Sequence, residues 1–541
     1  MAWYDEAVFY HIYPLGLLGA PEKNKYAKPI SKIKELNDWI GHIKELGCNA
    51  LYIGPLFESG SHGYDTTDYK KLDSRLGTNE DLKAFVKTCH DNGIRVIFDG
   101  VFNHTGRDFF AFQDLKEHRE ASLYKDWYCN VNFWGNNEYN DGFSYDNWSG
   151  YNLLVKLNQK NPAVREYLLD VVRFWVNEFD IDGIRLDAAD VLDFNFMHEL
   201  RMLANTLKAD FWLMGEVIHG EYSRWVNDGM LHAVTNYNLH KALYSGHNDH
   251  NYFEIAHTVK RLYDMIGSPR YGKQLYSFVD NHDVERICSK LNDKSQFYPV
   301  HILLYTLPGI PSIYYGSEFA IEGRKCNGSD APLRPCIELS SYKSALEENP
   351  YTKLIAALGR LRANNPILAY GDYEQLLLTN RQYAFARSLD GKSILTIVNN
   401  DENPASLTIP AQACDHYLSF FSGQTISSEN GNLTLTIPAH FGEILLPEGI
   451  KNIEYREKLI PKAASLVQEI AEFTADQAKA PEKNDLPPVP NKPYEEMTIE
   501  ELQAAILEKM AKNGPVTEEM KRTVFENVYH NSLLNWVKSF R

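Results

Sequence analysis

The chain has 541 residues, a formal net charge of −17 and a pI near 5.5; no basic stripe offsets the acid, which argues against a nucleic-acid partner. Its seven cysteines are scattered singly without a CxxC pair, a pattern that excludes a disulfide framework or a zinc site and is typical of a reducing compartment. The first residues carry acid at Asp5 and Glu6, where a signal peptide needs Lys or Arg, and no stretch approaches the length of a membrane span. We therefore expect a soluble, cytoplasmic protein with no membrane partner.

Eight short apolar runs alternate with helical segments along the first two thirds of the chain. Parallel strands that are buried on both faces have such continuous apolar runs, and eight strand–helix repeats predict an α/β fold, the (β/α)8 TIM barrel. The strands are predicted at 8–14, 49–54, 94–99, 181–187, 211–216, 231–237, 275–280 and 311–315. Helices are predicted around 33–46, after the Asn161-Pro162 cap as far as residue 179, and around 351–364.

Three further regions differ from the barrel in composition. Residues 105–156, rich in aromatic side chains and Asn, form an insert after strand 3, and a connection of this length is usually functional or a small domain. Residues 366–450 alternate short strands with turns and predict an antiparallel β-sandwich. Residues 451–541 are predicted to be a helical extension that contains a Pro-rich linker. The barrel itself is then assigned to 1–104 and 157–365.

The C-terminal extension has its own pattern. Helical segments are predicted at 461–479, 498–512 and 517–540, and Thr498 with Glu501 has the spacing of a capping box. The second segment carries an apolar stripe with no evident local partner, which consists of Leu502, Ile506, Leu507 and Met510. We expect this stripe to dock on the barrel or on another subunit, which makes the extension a candidate site of oligomerisation.

Charged side chains directly follow four of the predicted strands, in the segments 93–104, 182–190, 211–217 and 275–283. The C-terminal ends of parallel strands are where α/β folds place their chemistry. A single Asp after a strand is most often a helix cap or a loop residue. Together, however, the four segments supply three carboxylates, two histidines and an arginine, and this combination favours an active site.

The wording and order of these segments resemble the four signatures of glycoside hydrolase family 13, the α-amylase family, and within it the intracellular α-amylase, cyclomaltodextrinase and neopullulanase types. The matching residues are Asp99, Asn103, His104, Gly183, Arg185, Asp187, Glu216, Asn281, His282 and Asp283. Further resemblance lies in 63–69, 75–86, 155–158 and 309–318. The resemblance runs from about residue 8 to about residue 446, and it implies that the insert 105–156 is a short domain B.

The resemblance implies catalytic roles for three carboxyl groups. Asp187 is expected to be the nucleophile, Glu216 the general acid and then the base, and Asp283 the carboxylate that grips sugar hydroxyls. Strands 4 and 5 are neighbours in such a barrel, so the first two meet the separation of about 5–5.5 Å that a retaining mechanism needs. Arg185 lies two residues before Asp187 and points the same way, so we expect it to hold Asp187 ionised; a purely structural ion pair is the alternative.

Further binding residues follow from the resemblance. His104 and His282 are expected to bind hydroxyls of the sugar that is cleaved, Tyr64 to stack under that sugar, and Asp99 to position its neighbours. Two further contacts are expected farther from the scissile bond. The loop pair Asp330 and Arg334 either reaches the next glucose or is only structural. His219 is expected to reach the sugar on the leaving side.

The chain departs from calcium-binding members of the family. Asn103 matches one calcium ligand, but AADV follows Asp187 where many amylases have Lys-His, and the loop at residues 19–28 lacks an acidic, oxygen-rich run. We therefore expect that no metal or other cofactor is required, with a structural calcium at Asn103 as the disfavoured alternative.

The predicted activity is retaining hydrolysis of α-1,4-glucosidic bonds in maltooligosaccharides, cyclodextrins or related short α-glucans, through a covalent glycosyl-enzyme. A 4-α-glucanotransferase that uses the same site is the first alternative. A non-catalytic glucan-binding protein is the second, because a fold does not by itself imply a function.

Overall fold

The structure is a computed structural model that describes residues 2–269, 274–326, 328–450, 492–494, 497–513, 524, 533 and 537–538. The chain forms two compact units, Met1–Val467 and Gln468–Arg541. The predicted helix at 461–479, most of the Pro-rich linker and most of the predicted helix at 517–540 lie outside the described residues. Within these limits, no helix is long and apolar enough to cross a membrane.

The first unit contains one sheet in which eight described strands are parallel and follow one another around a closed barrel. Strand 1 pairs with strands 2 and 8, and a parallel bridge between Thr235 and Tyr276 closes the ring between strands 6 and 7. The predicted TIM barrel is therefore confirmed. Barrel strands 1 to 8 are Phe9–Ile12, Ala50–Ile53, Arg95–Gly100, Gly183–Leu186, Trp212–Gly215, Ala233–Val234, Tyr276–Phe278 and Ile310–Tyr314.

Helices alternate with these strands. In the helix after strand 3, Asn161 accepts a hydrogen bond from the Ala163 amide at 2.9 Å, and Pro162 occupies the first turn, as the sequence predicts. Its buried Trp175 stacks on Phe57 with ring centroids 4.5 Å apart. The main helices of the barrel are Asn37–Glu45, Asn79–Asp91, Pro162–Phe179, Phe194–Leu207, Tyr237–Asn248, Tyr252–Ile266, Phe297–Thr306 and Pro350–Ala363.

Strand 6 is shorter than the sequence predicts. The apolar run suggests a strand at 231–237, but only Ala233–Val234 is a strand, and Tyr237 begins the following helix. The Asn236 side chain accepts a hydrogen bond from the Leu239 amide at 3.1 Å, which caps that helix. A local polar cap therefore ends the strand earlier than its hydrophobicity indicates.

The insert after strand 3 is a small folded layer. It contains the helix Phe110–His118 and a three-stranded sheet of His104–Thr105, Tyr151–Lys156 and Asn147–Trp148. Its interior is aromatic, with buried rings at Phe112, Tyr128, Phe143 and Tyr145. A separate hairpin of Phe57–Ser59 and Thr66–Leu72 follows strand 2.

The C-terminal part of the first unit is an antiparallel β-domain, as predicted, with a six-stranded and a two-stranded sheet around one apolar core. Buried Arg387 joins it to the barrel by donating hydrogen bonds to the carbonyls of Thr306 at 2.9 Å and of Gly371 at 3.0 and 2.9 Å. Its strands are Asp372–Leu378, Gln382–Leu389, Lys392–Asn399, Ala405–Pro410, His416–Ser419, Thr425–Ser427, Asn432–Ile437 and Phe441–Pro447.

In the second unit, the helix Ile499–Asn513 begins with the predicted capping box, in which the Thr498 amide donates to Glu501 at 2.6 Å and the Glu501 amide donates to Thr498 at 3.3 Å. The expectation that the extension itself offers no partner for the apolar stripe is wrong, whereas docking on the barrel or on another subunit stays a prediction. Leu502 and Ile506 are buried in a cluster that the same extension completes with Val524, Leu533 and Val537. Residues distant in sequence supply these partners, so the local pattern could not reveal them.

One carboxyl group is buried in the β-domain. Glu443 accepts hydrogen bonds from the Ser419 hydroxyl at 2.7 Å and from the amides of Phe421 at 3.2 Å and Ile444 at 2.9 Å. Burial nevertheless raises the pKa of Glu443 from 4.5 to about 7. Between these two pH values the unfolded chain ionises while the folded chain keeps its proton, so the stability of the fold decreases as the pH rises.

We predict that Glu443→Gln removes this pH dependence. The variant should match the wild type near pH 4.5 and exceed its free energy of unfolding by about 3 kcal/mol at pH 8. The reason is that Gln, unlike Glu, has no proton that the unfolded chain can release. Denaturant unfolding at a series of pH values measures the difference. The exposed Glu374, replaced by Gln in the same domain, is the control; equal curves for wild type and Glu443→Gln would contradict the prediction.

Candidate active site

Three carboxylates from neighbouring barrel strands surround one arginine. Nη1 of Arg185 lies 2.8 Å from Oδ1 of Asp99 and 2.8 Å from Oδ1 of Asp187, and Nη2 lies 2.8 Å from Oε2 of Glu216. The strand register explains the arrangement, because Asp99 and Arg185 are direct partners across strands 3 and 4. Asp187 and Glu216 follow strands 4 and 5, so all three reach the C-terminal end of the barrel.

The electrostatics of this cluster favour the retention of a proton. Burial raises the pKa of Asp187 well above its ordinary value, the Arg185 guanidinium acts in the opposite direction, and the charges of Glu216 and Asp99 add to the rise. One cation beside three carboxylates cannot neutralise them all. The net direction at Asp187 is upward in spite of Arg185, so the expectation that Arg185 by itself holds Asp187 ionised is too simple, and a proton taken up here belongs to the coupled group and not to one residue.

Asp283 follows strand 7 and lies in a different environment. Its Oδ2 is 2.9 Å from Nε2 of His282, and its Oδ1 accepts from Nη2 of Arg334 at 2.8 Å. Burial alone would raise the pKa of Asp283, but His282 and Arg334 outweigh it and hold the pKa well below its usual range. Its side chain is about one third exposed (34%), so this group is a permanent carboxylate within reach of a ligand.

Tyr64 and His282 connect the carboxylates around Arg185 with Asp283. The Tyr64 hydroxyl donates to Oδ2 of Asp99 at 3.1 Å and contacts Nε2 of His282, and the rings of Tyr64 and His282 are nearly parallel. Nε2 of His104 contacts the Tyr64 carbonyl at 3.1 Å. Burial lowers the pKa of His104 to about 3, against this contact, so the ring is neutral. The hydroxyl-binding roles of the two histidines stay predictions.

The residues expected farther from the scissile bond separate into two groups. Arg334 bridges Asp283 to Asp330, with 3.2 Å to the latter, and its Nε donates to the His282 carbonyl at 3.0 Å. The loop pair Asp330 and Arg334 is therefore part of the group of side chains around Asp283. His219 is exposed in the loop after strand 5 and makes no hydrogen bond or ion pair with the described part of the chain. Its contact with a leaving-side sugar stays a prediction.

Sequence reasoning missed two tyrosines of the site. The Tyr52 hydroxyl donates to Oδ2 of Asp99 at 2.9 Å, and the Tyr237 hydroxyl donates to Oε1 of Glu216 at 3.2 Å. Asn281 in turn donates to the Tyr237 hydroxyl at 3.2 Å. Tyr52 is the second-last residue of an apolar strand and could have been found as a polar group near a strand end. Tyr237 was the last residue of the predicted strand 6, so the same signal was present there, although in the structure Tyr237 begins a helix.

The backbone after Asp187 is also part of the site. Ala188 has φ +46° and ψ +44°, a left-handed conformation that costs free energy in a residue other than glycine. Its amide donates to Oε2 of Glu216 at 3.1 Å. The strained conformation of Ala188 therefore allows a backbone contact that holds Glu216 beside Asp187.

The described residues contain no group of three or more His, Cys, Asp or Glu side chains that could hold a metal ion. The side-chain amide of Asn103, the residue that allowed a structural calcium, lies 3.2 Å from Nδ1 of His104. The expectation that no metal or cofactor is required stays a prediction.

Two families match the chain. Residues 30–363 match the α-amylase catalytic domain, and residues 373–441 match the C-terminal domain of maltogenic amylase. A cyclomaltodextrinase of a Bacillus species is 32% identical over 425 residues, 74% of this chain and 74% of the relative. An intracellular maltogenic amylase of Bacillus subtilis strain 168 is 30% identical over 418 residues, 73% of this chain and 69% of the relative. A solved cyclomaltodextrinase structure, 27% identical, superposes with a TM-score of 0.72 and covers 82% of this chain and 78% of that one.

The barrel, with paired carboxylates at neighbouring strand ends and sequence relatives of this kind, defines the protein as a glycoside hydrolase that acts on α-glucans. The chain belongs to the α-amylase family, glycoside hydrolase family 13.

We predict that Tyr237 positions Glu216. Burial, followed by the charges of Glu216 and Asp283, raises the pKa of Tyr237 well above its ordinary value, so the hydroxyl keeps its proton and donates. Tyr237→Phe should lower kcat on maltoheptaose roughly tenfold, the effect of losing one hydrogen bond to a charged group. Steady-state kinetics measure the loss.

An aryl maltoside with an acidic leaving group separates positioning from general damage. Such a substrate needs little protonation on departure, so in kcat/KM, which reports only the first chemical step, Tyr237→Phe should affect it much less than maltoheptaose. Tyr244→Phe, in the same helix, is the matched control. Equal losses on both substrates would show that Tyr237 does not act through Glu216.

Proposed function

We propose that this protein hydrolyses α-1,4-glucosidic bonds of short α-glucans with retention, through a covalent glycosyl-enzyme on Asp187. One observation carries the proposal: a single guanidinium bridges Asp187 and Glu216 at 2.8 Å each. Two carboxyl groups on one Arg185 head group are compatible with the separation of about 5–5.5 Å across which a retaining pair works.

In the first step, Glu216 transfers its proton to the glycosidic oxygen. At the same time a carboxylate oxygen of Asp187 forms a bond to the anomeric carbon, and the bond between that carbon and the glycosidic oxygen breaks. In the second step, ionised Glu216 takes a proton from water, the water oxygen replaces Asp187 on the same carbon, and both residues return to their starting states. Arg185 stabilises the departing Asp187 carboxylate. Asp283, held ionised by His282 and Arg334, opposes the positive charge that develops on the sugar.

The substrate class comes from the relatives. Their names specify cyclodextrin-degrading and maltose-producing activities, and one of them is named as intracellular. We therefore propose maltooligosaccharides and cyclodextrins as substrates in the cytoplasm. The transfer of the glycosyl group to a second sugar, the glucanotransferase reaction, differs only in the acceptor of the second step.

We further propose that the guanidinium of Arg75 stabilises the loop after strand 1 in place of a bound metal ion. The Arg75 guanidinium is buried among six oxygens, which belong to the carbonyls of Pro21, Glu22 and Ser61, the Ser59 hydroxyl and both Asp73 carboxylate oxygens. Arg75 thereby ties the loop after strand 1 to the hairpin after strand 2. This contact supports a structure that needs no calcium in that loop.

The proposed mechanism is tested by Glu216→Gln and by the anomer of the products. The variant keeps the size of the side chain but has no proton to transfer, so kcat on maltoheptaose and β-cyclodextrin should fall by about 10²–10⁴-fold. NMR of fresh wild-type products should show α-anomers first. Newly formed β-anomers would overturn retention, products longer than the substrate would favour the transferase, and no turnover of any glucan would favour a binding protein.

The internal-cation proposal is tested by comparing a chelator with a substitution. EDTA should leave the melting temperature of the wild type unchanged, whereas Arg75→Met should lower stability by about 3–5 kcal/mol because it leaves Asp73 buried without its cation. Arg173→Met, which removes a surface ion pair with Glu166, is the control and should change stability by less than about 1 kcal/mol. A fall in melting temperature on chelation would contradict the proposal.

A further inference from the structure

One polar side chain points into the barrel from strand 1. His11 pairs in register with Tyr52 of strand 2 and with Tyr314 of strand 8, and partners on neighbouring strands share a face of the sheet. Phe9, two residues before His11 and on the same face, belongs to the apolar core inside the barrel. His11 therefore stands in the barrel interior, one layer closer than Phe9 to the C-terminal end where the carboxylates lie.

Stacking holds the ring of His11 in one orientation. The ring lies nearly parallel to that of Tyr52, with centroids 4.1 Å apart and an interplanar angle of 18°, and the ring of Tyr314 packs at 4.9 Å. Burial, followed by the charges of His282 and Arg185, lowers the pKa of His11 well below its ordinary value. The buried ring is therefore neutral and has one N–H group and one lone pair.

The imidazole of His282 is a direct neighbour of this ring. The two rings meet edge to face, at 90° with centroids 5.2 Å apart. Among the described residues, neither Nε2 of His11 nor Nδ1 of His282 has a hydrogen-bond partner, although both atoms are buried. Buried polar atoms nearly always have a partner, and here the two unpartnered nitrogens belong to adjacent rings.

The other nitrogen of His282 is already engaged. Nε2 of His282 lies 2.9 Å from Oδ2 of Asp283 and contacts the Tyr64 hydroxyl. That hydroxyl donates its own hydrogen to Asp99, so both neighbours of Nε2 are acceptors and Nε2 carries a hydrogen. Nδ1 then has a lone pair when His282 is neutral and an N–H group when it is protonated. A neutral His11 can serve either state, since its Nε2 donates in one tautomer and accepts in the other.

We propose that His11 is a positioning residue for the reaction: its Nε2 pairs with Nδ1 of His282, directly or through one buried water, and so keeps Nε2 of His282 directed at Asp283. This rests on the proposed function, in which Asp283 opposes the charge that develops on the sugar. The stack on Tyr52, whose hydroxyl donates to Asp99, ties the same ring to the other carboxylates. Strand 1 thereby acts on both groups of acidic side chains through their neighbours.

Substitutions at residue 11 test the pairing by steady-state kinetics. His11→Leu fills the space without a hydrogen-bonding group, so kcat on maltoheptaose should fall about tenfold, the effect of one lost hydrogen bond. His11→Gln places an amide near the position of Nε2 and should keep kcat within about threefold of the wild type. His11→Asn is shorter, reaches only to the position of Nδ1, and should lose as much as His11→Leu.

His301→Leu is the matched control. His301 is also buried and also has an Nε2 without a partner among the described residues, but it lies in the helix Phe297–Thr306 outside the barrel strands. The same substitution there should change kcat by less than about twofold.

A double-substitution cycle tests whether His11 acts through His282. His282→Gln removes the ring that His11 is proposed to hold. In that background His11→Leu should lower kcat by less than about a further twofold, because its target is gone, whereas the effects of independent residues multiply. Melting temperatures of all variants are measured alongside.

A measurement without turnover separates this proposal from the proposed function. The full-length chain is labelled with 15N in its histidines, and the Nδ1 resonance of His282 is assigned from the signals that His282→Gln removes. In His11→Leu and His11→Asn this resonance should move toward the position of a nitrogen without a hydrogen bond, and in His11→Gln it should stay. If the wild type cleaves no glucan, the same shift would leave the pairing standing while the hydrolase falls.

Four results would each overturn the pairing. They are wild-type kcat in His11→Leu, an equal loss in His11→Gln and His11→Leu at unaltered melting temperature, full multiplication of the two losses in the double variant, and an Nδ1 resonance of His282 that does not respond. If His11→Leu fails to fold, the comparison of His11→Gln with His11→Asn decides, because these two side chains differ by one methylene.

Discussion

The charge of Arg185 is the interaction on which the rest of the site depends. Three carboxylates meet at the ends of strands 3, 4 and 5, and in a buried environment their mutual repulsion would drive them apart or protonate them. One guanidinium in contact with Asp99, Asp187 and Glu216 makes the cluster possible. It cannot neutralise all three, so the cluster favours the uptake of a proton at Asp187 and its coupled neighbours. The barrel register that sets Arg185 opposite Asp99 is therefore a condition of function as well as of folding.

A second cation, Arg334, acts on Asp283 by the same electrostatic attraction, but here the pKa of the carboxyl group is lowered. Arg334 and His282 together hold Asp283 as a carboxylate, and Arg334 also fixes the backbone carbonyl of His282. Acidic groups within one pocket thus differ in protonation because their neighbours differ. The loops after strands 7 and 8 supply this half, so closure of the barrel between strands 6 and 7 brings the two halves to one place.

Local sequence patterns were informative wherever the cause is local. Apolar runs followed by charge located the barrel strands, Asn161-Pro162 and the Thr498–Glu501 pair located helix starts, and the four segments identified the carboxylates. They failed where a partner comes from far along the chain. The apolar stripe of the extension has its partners in residues some twenty positions later. Strand 6 was predicted too long because a side-chain cap at Asn236 ends it early.

The sequence by itself determined the fold class, the identity of the acidic and basic groups and their order on successive strands, because strand periodicity and capping act between near neighbours. The tertiary structure alone decided which groups touch: Tyr52 on Asp99, Tyr237 on Glu216 and Arg334 on Asp283. It also decided that His11 of strand 1 stands edge to face with His282. Contacts of this kind depend on barrel closure and on side-chain direction in space, and no spacing along the chain encodes either one.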